Sequence, residues 1–167
     1  MATERRHEIT WHDPAPFLTR MVGMSGAEFL AASMSGEVPP PPIHAVIGSG
    51  ILAFGDGEAT ISYEPAEYHG NGVGGVHGGV IAGLLDMAAA LSIAAGLPAG
   101  AFSLTLELSV RYVRVVTLGS GRFQCKGRVI HLGKRTGVAQ AELLDSSARL
   151  HAHGTATYLL TFPDHEG

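Results

Sequence analysis

Between Tyr68 and Leu106 the chain carries one side chain from the Asp, Glu, Lys and Arg set, Asp86. Inside that stretch, Val80 to about Ala95 is rich in Ala and Leu, which predicts a helix of some four turns. Gly96 and Pro98 stop it. A helix with no polar face offers nothing to water, so the rest of the chain must cover it on several sides. This requirement narrows the possible folds more than any other feature.

A bilayer is one way to cover such a helix. Against it, Asp86 would cost about 2.5–3.5 kcal/mol at the centre of a span, and strand-like sequence follows. A protein sheet is the better cover. Before the helix, "ILAFGDGEATISYEP" reads as two strands joined at Gly-Asp-Gly, a hairpin turn. After it come four strand candidates, within "LTLELSVRY", "GRFQCKGRVIHL", "TGVAQAELLD" and "RLHAHGTATYLLTF". The first alternates, with Leu104, Leu106, Leu108, Val110 and Tyr112 on one face and Thr105, Glu107, Ser109 and Arg111 on the other. Turns at Leu132–Arg135 and Asp145–Ser147 are short and favour an antiparallel meander. The fold class is therefore α+β, an antiparallel sheet wrapped around one long central helix, with strands from Ile43. A helix apolar all round outstrips one sheet, so a second subunit is expected on the other side.

Residues 1–42 form an N-terminal helical arm and connector ahead of a domain at 43–167. Ser25 and Glu28 fit a capping box, which predicts a helix over Gly26–Ser33. Pro39–Pro42 predict an extended connector. With 11 basic against 15 acidic side chains, the net charge of −4 gives no footprint for nucleic acid. The single cysteine, Cys125, rules out an intrachain disulfide and suits a reducing compartment. "MATERRHEIT" has no apolar signal core. A cytoplasmic location is expected.

The helix is preceded by "HGNGVGGVHGG". Gly70–Gly75 matches G-x-G-x-x-G, but no acid stands about 20 residues on and the flanking strands are antiparallel, so the dinucleotide context fails. A helix start carries free N–H groups and partial positive charge. Gly78 and Gly79 leave such amides unobstructed, and they can polarise a carbonyl and hold the oxyanion formed on attack. Asp86, alone in an apolar helix, is the matching chemical group, since an isolated carboxylate there is costly to keep without a use. Eight residues separate Gly78 from Asp86, about 12 Å along one helix. One chain cannot easily bring both to one carbonyl. Two helices antiparallel across a two-fold axis can, and they form two shared sites.

Asn71-(x)5-His77-Gly78-Gly79-(x)6-Asp86 resembles the signature of hotdog-fold acyl-CoA thioesterases of the phenylacetyl-CoA thioesterase (PaaI-like) type. The resemblance runs from about Ile43 to Phe162. It implies an active homodimer, or a tetramer built from dimers, acting on an acyl-CoA without cofactor or metal. It implies that the Gly78 amide, with Asn71, binds the thioester carbonyl, and that Asp86 is nucleophile or general base. Thr105, with Ser103 as competitor on the same strand face, would help to hold the water. His77 would orient the loop, with Gly79 beside the substrate. The hydratase branch has a His five residues after its Asp, where this chain has Leu91. Lys134 and Arg135 are the first candidates for the coenzyme A phosphates. His151 and His153 share a strand face but lack an evident third metal ligand. No G-x-S-x-G elbow is present, and Cys125 lacks the setting of a catalytic thiol.

Overall fold

The computed structural model describes residues 3–163. Its centre is α4, Gly78–Ala94, preceded by α1 (Ala15–Val22), α2 (Gly26–Ser35) and α3 (Pro42–Ile47). Six strands, β1 (Ser49–Gly55), β2 (Glu58–Tyr63), β3 (Phe102–Tyr112), β4 (Phe123–Leu132), β5 (Thr136–Asp145) and β6 (Leu150–Thr161), form one sheet. Every pairing is antiparallel and the order is β1-β2-β4-β5-β6-β3. This is the hotdog arrangement. No helix among the described residues is long and apolar enough to cross a membrane.

The helix is wrapped closely because the sheet carries a glycine beneath it. A Cβ on Gly127 of β4 would overlap the Ala88 carbonyl, so β4 touches the backbone of α4. Ile81, Leu84, Leu85, Ala88, Ala89, Ser92 and Ile93 are buried, at the spacing of one broad helical face. They join Ile61, Tyr63, Phe123, Leu143 and Tyr158 from the strands in one core. The Gly-Asp-Gly turn has Asp56 and Gly57 both at positive φ, 52° and 75°, which suits the right-handed twist of the β1–β2 hairpin.

Two expectations need correction. The four prolines do not run straight into a strand. Pro41 is extended, but Pro42 opens α3, because the first turn of a helix needs no N–H from its opening residue. Ile43–Ile47 is therefore helical and strands begin at Ser49. That helix also adds to the cover of α4, laying Ile47 against Gly83, in keeping with the expectation that one sheet does not suffice. Finally, β3 does not alternate throughout. Its register with β6 slips between Thr105 and Glu107, a bulge at Leu106. Leu108 and Val110 pack against the core as expected. Leu104 and Leu106 are 55% and 60% exposed instead, and Thr105 turns toward the helix.

The arm contains one helix more than expected, α1. The capping box holds as read, with Ser25 Oγ accepting from the Glu28 N–H and Glu28 Oε2 accepting from the Ser25 N–H. Gly26 docks the arm. Its N–H donates to the Leu97 carbonyl at 2.9 Å, and a Cβ there would overlap the Ala94 carbonyl. Gly26→Val is therefore expected to lift α2 off α4 while the sheet stays folded. Trypsin should then cut after exposed Arg20 at least roughly tenfold faster, the cost of opening the arm having fallen by about 1.4 kcal/mol or more. An unchanged cleavage rate would show that the arm is held elsewhere.

Candidate active site

The glycine-rich loop is folded by Asn71. Its Oδ1 accepts from the Val73 and Gly75 amides at 2.9 and 3.0 Å, and its own N–H donates to the Gly75 carbonyl. Nδ2 has no hydrogen-bond partner among the described residues. The loop then delivers the chain to His77 in extended conformation, and His77 caps α4. Its Nδ1 accepts from the Gly79 N–H at 2.9 Å. The cap thereby uses the Gly79 amide that the sequence offered to the substrate. The Gly78 N–H finds no acceptor among the described residues. The Gly78 carbonyl accepts from Tyr112 Oη at 2.9 Å, which fixes the first turn against the end of β3.

Asn71 and Gly78 open onto one cleft of about 330 Å³, walled by Ile81, Tyr112 and the segment Val113–Val116. Arg114 is its charged group, with Nη1 donating to the Leu150 carbonyl. That wall is braced from behind. His151 bridges the Val115 carbonyl through Nδ1 and Asp145 Oδ2 through Nε2, both at 3.1 Å. The β5–β6 register slips beside Leu144, which turns His151 inward to 6% exposure while His153 stays outside. The two histidines do not share a face, and no cluster of metal-ligating side chains occurs among the described residues.

The Arg149 amide, above other contacts, holds the Asp145 carboxylate well below its usual range, helped by His151, the Arg149 side chain and the Ser147 amide. A carboxylate lowered on folding stabilises the fold above its unfolded value and loses that contribution as pH falls through the acid range. Asp145→Asn is expected to lower Tm at pH 7 and to flatten the loss of Tm below pH 4. Parallel acid limbs for both proteins would refute the brace.

Asp86 sits two turns into α4, half-buried. The β3 bulge aims Thr105 at it, and Thr105 Oγ1 donates to Oδ1 at 3.0 Å. Tyr158 of β6, fully buried, reaches both the Asp86 carbonyl at 3.1 Å and Oδ1 at 3.2 Å. Burial, and then the Asp86 charge, push the Tyr158 hydroxyl far above its ordinary range, so it stays a donor. Sequence reasoning missed Tyr158, which lies 72 residues from its partner. Oδ1 is thus held by two hydroxyls, while Oδ2 has no partner among the described residues.

One chain therefore brings together Asn71 with Gly78, and Asp86 with Thr105, as two half-sites. It does not unite them, since Gly78 and Asp86 occupy one helix eight residues apart, about 12 Å. Ser103 lies on the Thr105 face but beside a different cavity, at the far end of α4. Lys134 and Arg135 are exposed at the β4–β5 turn, which lies over Ile93 and Gly96, at the end of α4 away from Gly78. Cys125 is buried under α4, and burial pushes its thiol out of reach of ionisation.

The chain and its fold have relatives among known proteins. A model of the thioesterase superfamily matches residues 73–152, which spans Gly78, Asp86, Thr105 and the cleft wall. The chain has the hotdog fold and resembles the thioesterase superfamily. Thioester hydrolysis is the class of reaction this resemblance supports. A Halobacterium salinarum protein named for esterase activity is 28% identical over 134 residues, 77% of this chain and 87% of that one. Among solved structures, a phenylacetic acid degradation-related protein of Ralstonia eutropha is 27% identical, with a TM-score of 0.73 over 78% of this hotdog chain and 98% of its own. The PaaI protein of the E. coli phenylacetic acid degradation operon shares the fold, with a TM-score of 0.69 at 21% identity over 80% and 92% of the two chains.

Proposed function

We propose that this protein hydrolyses acyl-CoA thioesters to free acid and coenzyme A, at two sites shared across a homodimer. The observation that carries the reading is the pair of half-sites on one helix. At its start stands an amide, and two turns on a carboxylate oxygen, neither with a partner among the described residues. An antiparallel partner helix supplies the missing half of each. Edge strand β3 is the surface suited to that partner. Among the described residues it pairs only with β6, and its first half exposes the apolar Phe102, Leu104 and Leu106, with the charged Glu107 and Arg111 confined to the second. Two such dimers could pair further into a tetramer.

In each site the Gly78 N–H, with Asn71 Nδ2 nearby, polarises the thioester carbonyl. Thr105 and Tyr158 fix Oδ1 of the Asp86 that faces it, leaving Oδ2 to take a proton from water. The water oxygen bonds to the carbonyl carbon, and the oxyanion forms against the Gly78 amide. The C–S bond then breaks, and the proton on Asp86 passes to the departing thiolate. Arg114 stands at the mouth of the Gly78 cleft for the coenzyme A phosphates. The same two-fold carries the partner's Lys134 and Arg135 past Gly78, where they keep their candidacy for that role. Compartment follows from none of this geometry; the cytoplasm is our reading from the lone cysteine.

Free-thiol release from a panel of aryl- and alkyl-CoA thioesters tests the reading. Turnover well above the spontaneous rate is expected for part of the panel. A folded, dimeric protein that binds coenzyme A esters but releases no thiol from any of them would instead be an acyl-CoA-binding module.

A further inference from the structure

The end of α4 away from Gly78 holds a second cavity, of about 270 Å³. Its walls come from the arm (Met21, Met24, Phe29) and from Leu91, Ala94 and Ala101 at the end of α4 and in the loop that follows. Its rim points back to the carboxylate on two independent elements. Ala90 is one helical turn beyond Asp86, a Cβ separation of roughly 5–6 Å. Ser103 is two strand residues before Thr105 on the same face, roughly 6.6 Å away.

The lining has no charged side chain, and Ser103 gives its only hydroxyl. An acyl group ending in a carboxylate or ammonium would be buried there unpaired, at heavy cost. An apolar tail would be welcome, and the two methionines adapt to its shape. At roughly 30 Å³ for each water-sized group, the cavity takes about nine carbons. A ring on a short stem fits as well, since a dry cavity of about 150 Å³ already accepts benzene.

We infer that this cavity receives the apolar tail of the acyl group, and that the N-terminal arm sets its depth. The substrates are then medium-chain or arylalkyl thioesters, and neither acetyl nor dicarboxylic ones. The inference rests on the thioesterase reading, because it places the thioester carbon beside Asp86.

The test uses S-alkyl thioethers of coenzyme A, from ethyl to dodecyl, which have no carbonyl to hydrolyse. Calorimetry on the intact protein is expected to show affinity rising about fourfold per methylene up to about nine carbons, then levelling, with a negative heat-capacity change. Phe29→Ala deepens the cavity and should move the break to longer chains. Ala101→Phe fills it and should move the break to shorter ones. Affinity independent of chain length, or a break that moves in neither variant, overturns the proposal. The matching thioesters separate the two readings. A chain-length break in binding with no thiol released would sink the thioesterase reading and leave the cavity assignment standing. Thiol release with no break would do the reverse.

Discussion

Asp86→Asn is expected to cut thiol release from acyl-CoA by roughly 10²–10⁴-fold, the usual contribution of a positioned acid–base group. The substitution is close to isosteric. Its Oδ1 can still accept from Thr105 Oγ1 and Tyr158 Oη, so the helix and its packing should survive. What changes is the other atom, where an NH2 replaces the oxygen that takes the proton. The loss should therefore fall on kcat, with binding of a non-hydrolysable thioether held within about twofold. Steady-state thiol release and calorimetry on the two proteins check this. Equal turnover would mean that the carboxylate is a structural partner of Tyr158 and that the chemistry lies elsewhere.

A second large effect comes from mixing two inactive proteins. Gly78→Pro removes one N–H and little else. Proline suits the first position of a helix. His77 before it is already extended, at φ −63° and ψ 136°, as a residue preceding proline must be. The added Cβ would lie 3.2 and 3.3 Å from Tyr112 Oη and Cζ, so that exposed side chain must give by a few tenths of an ångström. Loss of an oxyanion donor is expected to cost roughly 10²–10³ in kcat. Co-expression with Asp86→Asn should then restore activity. Half of the randomly paired dimers are mixed, and each has one intact site of two, so about one quarter of wild-type turnover returns. Sites built within one chain would each keep a defect, and the mixture would stay as inactive as its parents. Tandem purification through a different affinity tag on each variant confirms that mixed dimers formed.

The central helix was legible because its composition left it no choice of environment. The hairpin at Gly55–Gly57 was legible because its chemistry is local. The half-site on α4 was legible for the same reason, since Gly78 and Asp86 lie on one element whose rise is known. Features set by a distant partner were not. The bulge at Leu106 exists only in register with β6, and nothing in "LTLELSVRY" announces it. The inward turn of His151 depends likewise on a slip against β5. Tyr158 is one of several aromatic residues in the strands until the fold lays it against Asp86. Pro42 reads equally well as extended chain or helix start, and the latter goes with buried His44 bonded to Ser49 and with Ile47 packed against Gly83. The far placement of Lys134 and Arg135 required knowing which end of α4 their turn covers.

The bulge in β3 makes the chemistry of this chain a matter of parity. Before Leu106 the odd-numbered residues Ser103 and Thr105 look at the helix; after it the even-numbered Leu108, Val110 and Tyr112 do. The half that serves Asp86 and the half that fills the core are thus out of phase by one residue. Removing Leu106 would leave every remaining side chain chemically intact and bring the count back into step. The core half, with more area to lose, would keep its place, and Thr105 would swing to the outside. Mutational searches that only substitute residues would therefore pass over one of the most sensitive positions here, because what it contributes is its length along the backbone.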